Sequence, residues 1–153
     1  MDTEFRWPVR VYYEDTDNGG VVYYANYLKF MERARTEWLR TRGVEQDRAA
    51  QRDGVIFAVR SAQVDYLKPG RFNQLLAVSV KVVEAGRASL TFEQTVSVTD
   101  AGHHDDTDDS STEGEQCGSV LCQGRIKIAC LDVGTLRPRA IPASMRQEIF
   151  GDG

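Results

Sequence analysis

The sequence predicts an α+β domain in which a curved antiparallel sheet of about five strands wraps one long helix. Two patterns predict it: one stretch repeats apolar residues at helical spacing, and the segments after it alternate apolar and polar residues as strands do. Connections of hairpin scale join the four later strands, which favours antiparallel pairing. Since the chain has 153 residues, we expect a single domain spanning 1–153, with an acidic insertion at 101–116.

The first strand is predicted over residues 8–14, where Val9, Val11 and Tyr13 share one face. A turn-rich loop follows over 15–20 and ends in Gly19-Gly20, which permits backbone angles that other residues avoid. The long helix is predicted over 23–42, with Gly43 as its C-terminal cap. Its expected apolar stripe consists of Tyr24, Tyr27, Leu28, Met31, Ala34 and Trp38.

The remaining strands are predicted over 55–67, 72–84, 87–99 and 117–131. Pro69-Gly70 ends the first of these, and Ala85-Gly86 turns the second into the third. Residues 45–54 are predicted to be a loop with one short helical turn, and the tail from 137 to contain a short helix.

The net charge of −4 is unevenly distributed along the chain. The segment 101–116 contains six acidic residues and no Lys or Arg, so 17 acidic residues remain elsewhere against 19 basic ones, a balance of +2. That excess is too small to predict nucleic-acid binding, but it is compatible with a small polyphosphate ligand.

The sequence lacks the apolar runs that membrane insertion or secretion requires. The longest apolar run is residues 55–59, and no signal-peptide pattern begins the chain, so we expect no transmembrane segment and a cytoplasmic location. The three cysteines are expected to be reduced. Cys122 and Cys130 lie eight residues apart on one predicted strand, too far to bridge, and are predicted to be core residues.

Both histidines, His103 and His104, lie in the acidic segment. A nucleophile–histidine apparatus needs a rigidly held imidazole, so a carboxylate is the expected base or nucleophile if the chain is an enzyme. The histidines and aspartates of this segment lack the ligand spacing of a calcium loop. We therefore predict a solvated insertion, no metal site and no cofactor.

Two aspartates, Asp15 and Asp17, precede the long helix. The first N–H groups of a helix lack partners and carry positive partial charge, so they can hold a carboxylate, a phosphate or a polarised carbonyl oxygen. Two readings follow from the residues alone. The aspartates are either a turn residue and a helix-capping acid, or part of a site.

The two aspartates belong to a longer motif at the start of the chain. It consists of Tyr13, Asp15, Asp17, Gly20, Val22, Tyr23, Tyr24, Tyr27 and Glu32-Arg33-Ala34-Arg35-Thr36-Glu37. With two later segments, 64–69 and 137–142, this motif resembles the hot-dog-fold acyl-CoA thioesterases, in particular the 4-hydroxybenzoyl-CoA thioesterase group and the YbgC-type branch associated with the Tol-Pal system.

The resemblance implies a hot-dog fold and hydrolysis of acyl-CoA thioesters at the interface of homodimers, often paired into homotetramers. Coenzyme A would be part of the substrate. Asp17 matches the catalytic aspartate, which acts as general base or nucleophile, and the Tyr24 N–H is the implied donor to the thioester carbonyl. The YbgC-type branch commonly has histidine at the Tyr24 position, which leaves the preferred acyl group open.

Further binding residues are nominated beside this pair. Gly20, Val22 and Tyr27 belong to the motif, whereas Phe57 and Val59 are candidates for the acyl pocket. The candidate phosphate contacts are Arg60, Lys68, Arg71 and Arg87. Two alternatives to hydrolysis stay open: a non-catalytic module that binds acyl-CoA or acyl carrier protein, and a scaffold for envelope-associated machinery.

Overall fold

The computed structural model describes residues 4–99 and 118–151, in which five strands form one antiparallel sheet in the order β1-β3-β4-β5-β2. The strands are β1 (Phe5–Arg10), β2 (Val55–Tyr66), β3 (Leu75–Ala85), β4 (Ser89–Thr99) and β5 (Val120–Asp132). The helices are α1 (Ala25–Thr41), α2 (Gln46–Arg48) and α3 (Ala143–Phe150). The predicted α+β architecture of one long helix and a five-stranded antiparallel sheet is confirmed.

Helix α1 buries one face against the sheet. The predicted alternation in β4 is confirmed, because Leu90, Phe92, Val96 and Val98 are all buried. A glycine on β5 allows the close approach of the helix: a Cβ built on Gly124 would lie 2.9 Å from the Met31 sulfur. The apolar residues of α1 that are buried in the core are Tyr27, Phe30, Met31, Ala34, Trp38 and Leu39.

This buried face differs from the predicted stripe. Tyr24 and Leu28 are exposed, whereas Phe30, Arg35 and Leu39 are buried. The spacing of apolar residues is compatible with both the predicted stripe and the observed buried face. Packing against the sheet selects the face at positions 27, 30, 31, 34 and 38. Tyr24 falls outside because α1 begins at Ala25, two residues later than predicted.

The first strand also differs from its prediction. It covers Phe5–Arg10 instead of 8–14, and Tyr13–Asp15 form a 3-10 turn. Val9 and Val11 are buried as expected, but Tyr13 is exposed because the chain leaves the sheet before it. Residues 46–53 are helical throughout, as α2 followed by a π-helix over Ala49–Asp53, instead of a single turn in a loop.

Strand β2 does not pair with β3, although the chain between them is short. It pairs with β5 along its whole length and forms one edge of the sheet. The connection 67–74 therefore crosses the end of the sheet and passes beside the start of α1. This crossing positions the candidate site.

Cys122 and Cys130 are unpaired and buried, as predicted. The part of the chain that the structure describes contains no helix suited in length and hydropathy to crossing a membrane. Within those same ranges, no three His, Cys, Asp or Glu side chains come together to hold a metal. The acidic insertion predicted at 101–116, with both histidines, lies outside the described residues.

Candidate active site

The loop before α1 is a tight hairpin. The Asp17 N–H donates to Val21 O at 2.9 Å, the Gly20 N–H donates to Asp17 O at 3.0 Å, and Thr16 pairs with Val22. Gly20 has φ +83°, as the last position of a three-residue hairpin loop requires. Since a side chain with a Cβ is strained at this angle, the second glycine of the pair shapes the turn that contains Asp17.

The two carboxylates of the loop have different partners. Asp15 Oδ2 accepts the Tyr12 N–H at 2.8 Å and closes the 3-10 turn, whereas Asp17 Oδ1 accepts the Gly19 N–H at 2.8 Å. Neither caps α1, so the capping interpretation is wrong. Asp17 is exposed, and within residues 4–99 and 118–151 its Oδ2 has no hydrogen bond. One oxygen of Asp17 thus orients the side chain while the other is available.

The start of α1 is tied to the same loop through Asp15. The backbone oxygen of Asp15 accepts both the Tyr23 N–H and the buried Asn26 side-chain amide, each at 2.9 Å. Among the described residues, the N–H groups of Tyr24 and Ala25 have no acceptor. Such free amides at a helix start form a site for a negatively polarised oxygen.

Gly70, on the crossing connection 67–74, contacts both the hairpin and α1. Its N–H donates to the Tyr27 hydroxyl at 2.9 Å, and its carbonyl accepts the Val22 N–H at 2.9 Å. A Cβ on Gly70 would lie 3.1 Å from both Tyr27 Oη and Val22 Cγ2, so a larger residue would require these side chains to move by a few tenths of an ångström. Burial raises the pKa of the Tyr27 hydroxyl, which keeps it protonated.

Aromatic rings surround the helix start. The ring of Tyr24 lies 5.0 Å from that of Tyr23 and 5.8 Å, edge-on, from that of Tyr66, whose other neighbour is Tyr27 at 5.7 Å. Tyr23, Tyr24 and Tyr66 remain 47%, 59% and 45% exposed. Three half-exposed rings beside free amides form a surface suited to the apolar part of a ligand.

Comparison with known proteins identifies the family. The model of the thioesterase superfamily matches residues 19–102, more than half of the chain. The chain belongs to the thioesterase superfamily. The predicted resemblance is thereby confirmed, including its YbgC-type branch: the chain is 36% identical to the acyl-CoA thioesterase YbgC of Haemophilus influenzae, over 95% of this chain and 94% of that protein.

Further relatives and solved structures similar to this chain are also thioesterases by name. It is 38% identical to the acyl-CoA thioester hydrolase YbgC of Escherichia coli, over 95% of this chain and 96% of that protein. A probable thioesterase from Bartonella henselae superposes with a TM-score of 0.74 at 29% identity, covering 92% and 100% of the two chains. A 1,4-dihydroxy-2-naphthoyl-CoA thioesterase from Synechocystis has a TM-score of 0.78 at 17% identity, with 97% of each chain covered, which shows the shared fold.

The predicted site residues of this superfamily member occupy three kinds of position. Asp17, Gly20 and Tyr24 are exposed together on the hairpin and the helix start. Val22 and Tyr27 are buried, at 5% and 3% exposed, so within one chain they support the backbone of the site instead of lining its surface.

The strand and cation candidates are more scattered. Phe57 is half-buried against the core, and Val59 is 54% exposed on the β2 edge. Arg60 is exposed at a β-bulge between Val59 and Ser61. Lys68 is exposed on the crossing connection near the site, but Arg87 lies in the turn between β3 and β4, at the opposite end of the sheet. A single chain does not bring Arg87 to Asp17.

One chain does not enclose the candidate site. A cavity of about 500 Å³ lies beside the end of β1, lined by Val11, Tyr12, Tyr13 and Phe72 among others, and neither Asp17 nor Tyr24 contributes to it. Sequence reasoning missed Asn26, Tyr66 and the role of Gly70. Asn26 and Tyr66 lie within the quoted motifs, but Gly70 gave only the signal of a strand end.

Proposed function

We propose that this chain is an acyl-CoA thioesterase, which hydrolyses an acyl-CoA to a carboxylic acid and coenzyme A. The observation that supports this most directly is the pairing of an oriented, exposed carboxylate, Asp17, with the free N–H groups of Tyr24 and Ala25 at the start of α1. Hydrolysis of a thioester needs a base or nucleophile and donors for the oxygen that becomes negative, and this junction offers both.

In the general-base route, Asp17 removes a proton from water as the water oxygen bonds to the carbonyl carbon. The electron pair of the carbonyl moves onto its oxygen, which the Tyr24 N–H and the helix dipole stabilise. When the intermediate collapses, the carbon–sulfur bond breaks, and Asp17 returns the proton to the departing thiolate. The products are the carboxylic acid and the free thiol.

In the nucleophilic route, Asp17 itself bonds to the carbonyl carbon, and the thiolate leaves from a mixed anhydride. Water then cleaves the anhydride and restores Asp17. Single-turnover hydrolysis in ¹⁸O-labelled water, followed by mass spectrometry of the tryptic peptides, detects this route when water attacks the aspartyl carbon of the anhydride. Label in Asp17 would then establish the nucleophilic route, because the general-base route places none there.

We further propose that a homodimer completes the site through the β2 edge. Residues 59–63 of this strand are all exposed, and the unpaired N–H and C=O groups of an edge strand are a template for another strand. Two-fold pairing of β2 with its copy places the Val55 end of one chain beside the Tyr66 end of the other. Arg87 of one chain would then approach the Asp17 end of its partner, where Arg60, Lys68 and Arg87 could contact the phosphates of coenzyme A.

Thiol release from a panel of short, aryl and long acyl-CoAs tests the proposed function. We expect turnover by the wild-type protein and loss of turnover in Asp17→Asn. Asp47→Asn is the matched control, because Asp47 is an exposed aspartate that also accepts a local N–H, from Arg48 at 2.8 Å, outside the site.

Saturable acyl-CoA or acyl-carrier-protein binding without hydrolysis, unaffected by Asp17→Asn, would contradict the proposal and support a binding module instead. Assembly of homodimers into homotetramers, the absence of a cofactor and a cytoplasmic location stay predictions from the sequence.

A further inference from the structure

Arg71 has an unusual environment for a charged side chain. It is half-buried, and its Nε is a buried side-chain donor without a hydrogen-bond partner, the one such atom among residues 4–99 and 118–151. Buried polar groups in native proteins almost always have partners, because an unpaired buried donor has lost its bonds to water without replacement. Within the described part of the chain, Arg71 therefore retains a buried Nε donor without an acceptor.

The backbone around Arg71 is held firmly. Its N–H donates to the side-chain oxygen of Gln74 at 2.8 Å, and the preceding Gly70 is bonded on one side to Tyr27 and on the other to Val22. Arg71 also pairs with Val21 as an antiparallel bridge. The position of this arginine relative to the hairpin is thus set by hydrogen bonds and not by its own side chain.

These bridges place Arg71 and Asp17 on the same face. Asp17 is opposite Val21 in the hairpin, and Val21 is opposite Arg71, so the three residues form one row across a small three-stranded ladder. Residues in such a row project to one side. The neighbouring row of Thr16, Val22 and Gly70 faces inward, because Val22 and Gly70 are buried against Tyr27. The row of Asp17 and Arg71 therefore lies on the face opposite Tyr27, where Asp17 is exposed and Arg71 is half-buried.

The spacing fits a small group between the two side chains. Opposed residues in antiparallel pairs lie about 5 Å apart, so the Cα atoms of Asp17 and Arg71 are separated by ~10 Å. This separation is within the combined reach of the two side chains, so they can meet across a small group bound between them.

We propose that Arg71 is a catalytic residue whose guanidinium stabilises the negative oxygen that forms on the thioester carbonyl when Asp17 acts. The inference rests on the proposed function. An arginine whose Nε is already buried, and whose backbone is held beside the hairpin, loses little hydration when an anionic oxygen becomes its acceptor. Arg71 would act together with the Tyr24 N–H, from the side opposite the helix.

The test compares steady-state kinetics of Arg71→Gln, Arg71→Lys and the wild type with one acyl-CoA that the wild type hydrolyses. We expect Arg71→Gln to lower kcat by about 10- to 100-fold, with KM within about threefold, since the loss falls on the transition state. Arg71→Lys keeps the charge and should recover part of the rate. Arg125→Gln is the control, because Arg125 is an exposed arginine of β5 paired with Glu93 on the outer face of the sheet.

Three results would overturn the inference. One is an unchanged kcat in Arg71→Gln. Another is a rise in KM alone, which would make Arg71 a phosphate or binding contact. The third is a lower thermal midpoint or a weakened oligomer in Arg71→Gln, with normal kcat per folded protein. That result would mean that the acceptor for Arg71 Nε lies on a second copy of the chain. Absence of turnover in the wild type would instead reject the proposed function itself, so the two failures are distinguishable.

Discussion

The hydroxyl of Tyr27 in helix α1 accepts a hydrogen bond from the N–H of Gly70 at 2.9 Å, joining residues 43 positions apart. This bond fixes the crossing connection beneath the hairpin that contains Asp17. Gly70 in turn accepts the Val22 N–H, so one buried tyrosine supports both the helix start and the ladder of Asp17, Val21 and Arg71. The geometry of the exposed site therefore depends on a contact in the core.

Replacing Tyr27 by Phe tests this support. The substitution keeps the ring but leaves the buried Gly70 N–H without an acceptor, and we expect a loss of about 1–3 kcal/mol in the free energy of unfolding, measured by urea denaturation. Thiol-release activity should fall as well. Tyr13→Phe is the control, since the Tyr13 ring is 78% exposed and is expected to give wild-type stability. Equal stability of the two variants would show that the Gly70 bond contributes nothing.

The two adjacent glycines of the loop should respond differently to alanine. Gly20→Ala places a Cβ at φ +83° and should destabilise the hairpin by about 1–2 kcal/mol, with a lower kcat because the turn orients Asp17. Gly19 does not have a positive φ, and its added Cβ would lie 3.4 Å from Asp17 Oδ1, an ordinary contact. Gly19→Ala is therefore expected to retain more stability in thermal melts. The reverse order would contradict the proposed turn.

A charge on the β2 edge tests the proposed dimer. Val59→Lys should shift the molar mass measured by light scattering toward the monomer and lower thiol release in parallel, because a lysine at a free edge opposes strand pairing. Val133→Lys changes another exposed valine, 45% exposed after β5, and should do neither. A monomeric wild type with full activity would refute an interface site.

The two described cysteines should be unreactive in the folded protein. Burial raises the pKa of the Cys122 thiol to about 12 and also raises that of Cys130. Because the thiolate is the reactive form, both stay protonated at pH 8. In a Cys117→Ser background, iodoacetamide should label neither residue in buffer and both in urea, as read by mass spectrometry. Rapid labelling of native Cys122 would show that the β5 core opens readily.

The residues alone predict much of the fold, and for a simple reason. Alternation in β4 requires only that Leu90, Phe92, Val96 and Val98 share one face, and strand geometry supplies that locally. The predicted helix begins within two residues of the observed one, but its predicted buried face wrongly includes Tyr24 and Leu28, since apolar residues occur on more than one side of α1. The choice depends on which face the sheet covers.

The candidate site divides in the same way. Asp17 and Tyr24 follow from a motif contained in a short stretch of chain. The sequence also predicts Arg87 as a phosphate contact, yet in one chain Arg87 lies at the other end of the sheet. A position in a turn does not show which end of the sheet that turn occupies. The significance of Tyr66, Gly70 and Arg71 arises from the crossing of residues 67–74 past α1, which follows the pairing of β2 with β5.

Local residue patterns specify the helix, the strands, the glycine-containing turn and the carboxylate before the helix, because each depends on neighbours a few residues away. Three relationships arise only in the folded chain: β2 forms an edge, Tyr27 holds Gly70, and Arg71 shares a row with Asp17. These relationships join segments tens of residues apart. They result from packing and hydrogen bonding throughout the core, which local spacing does not encode.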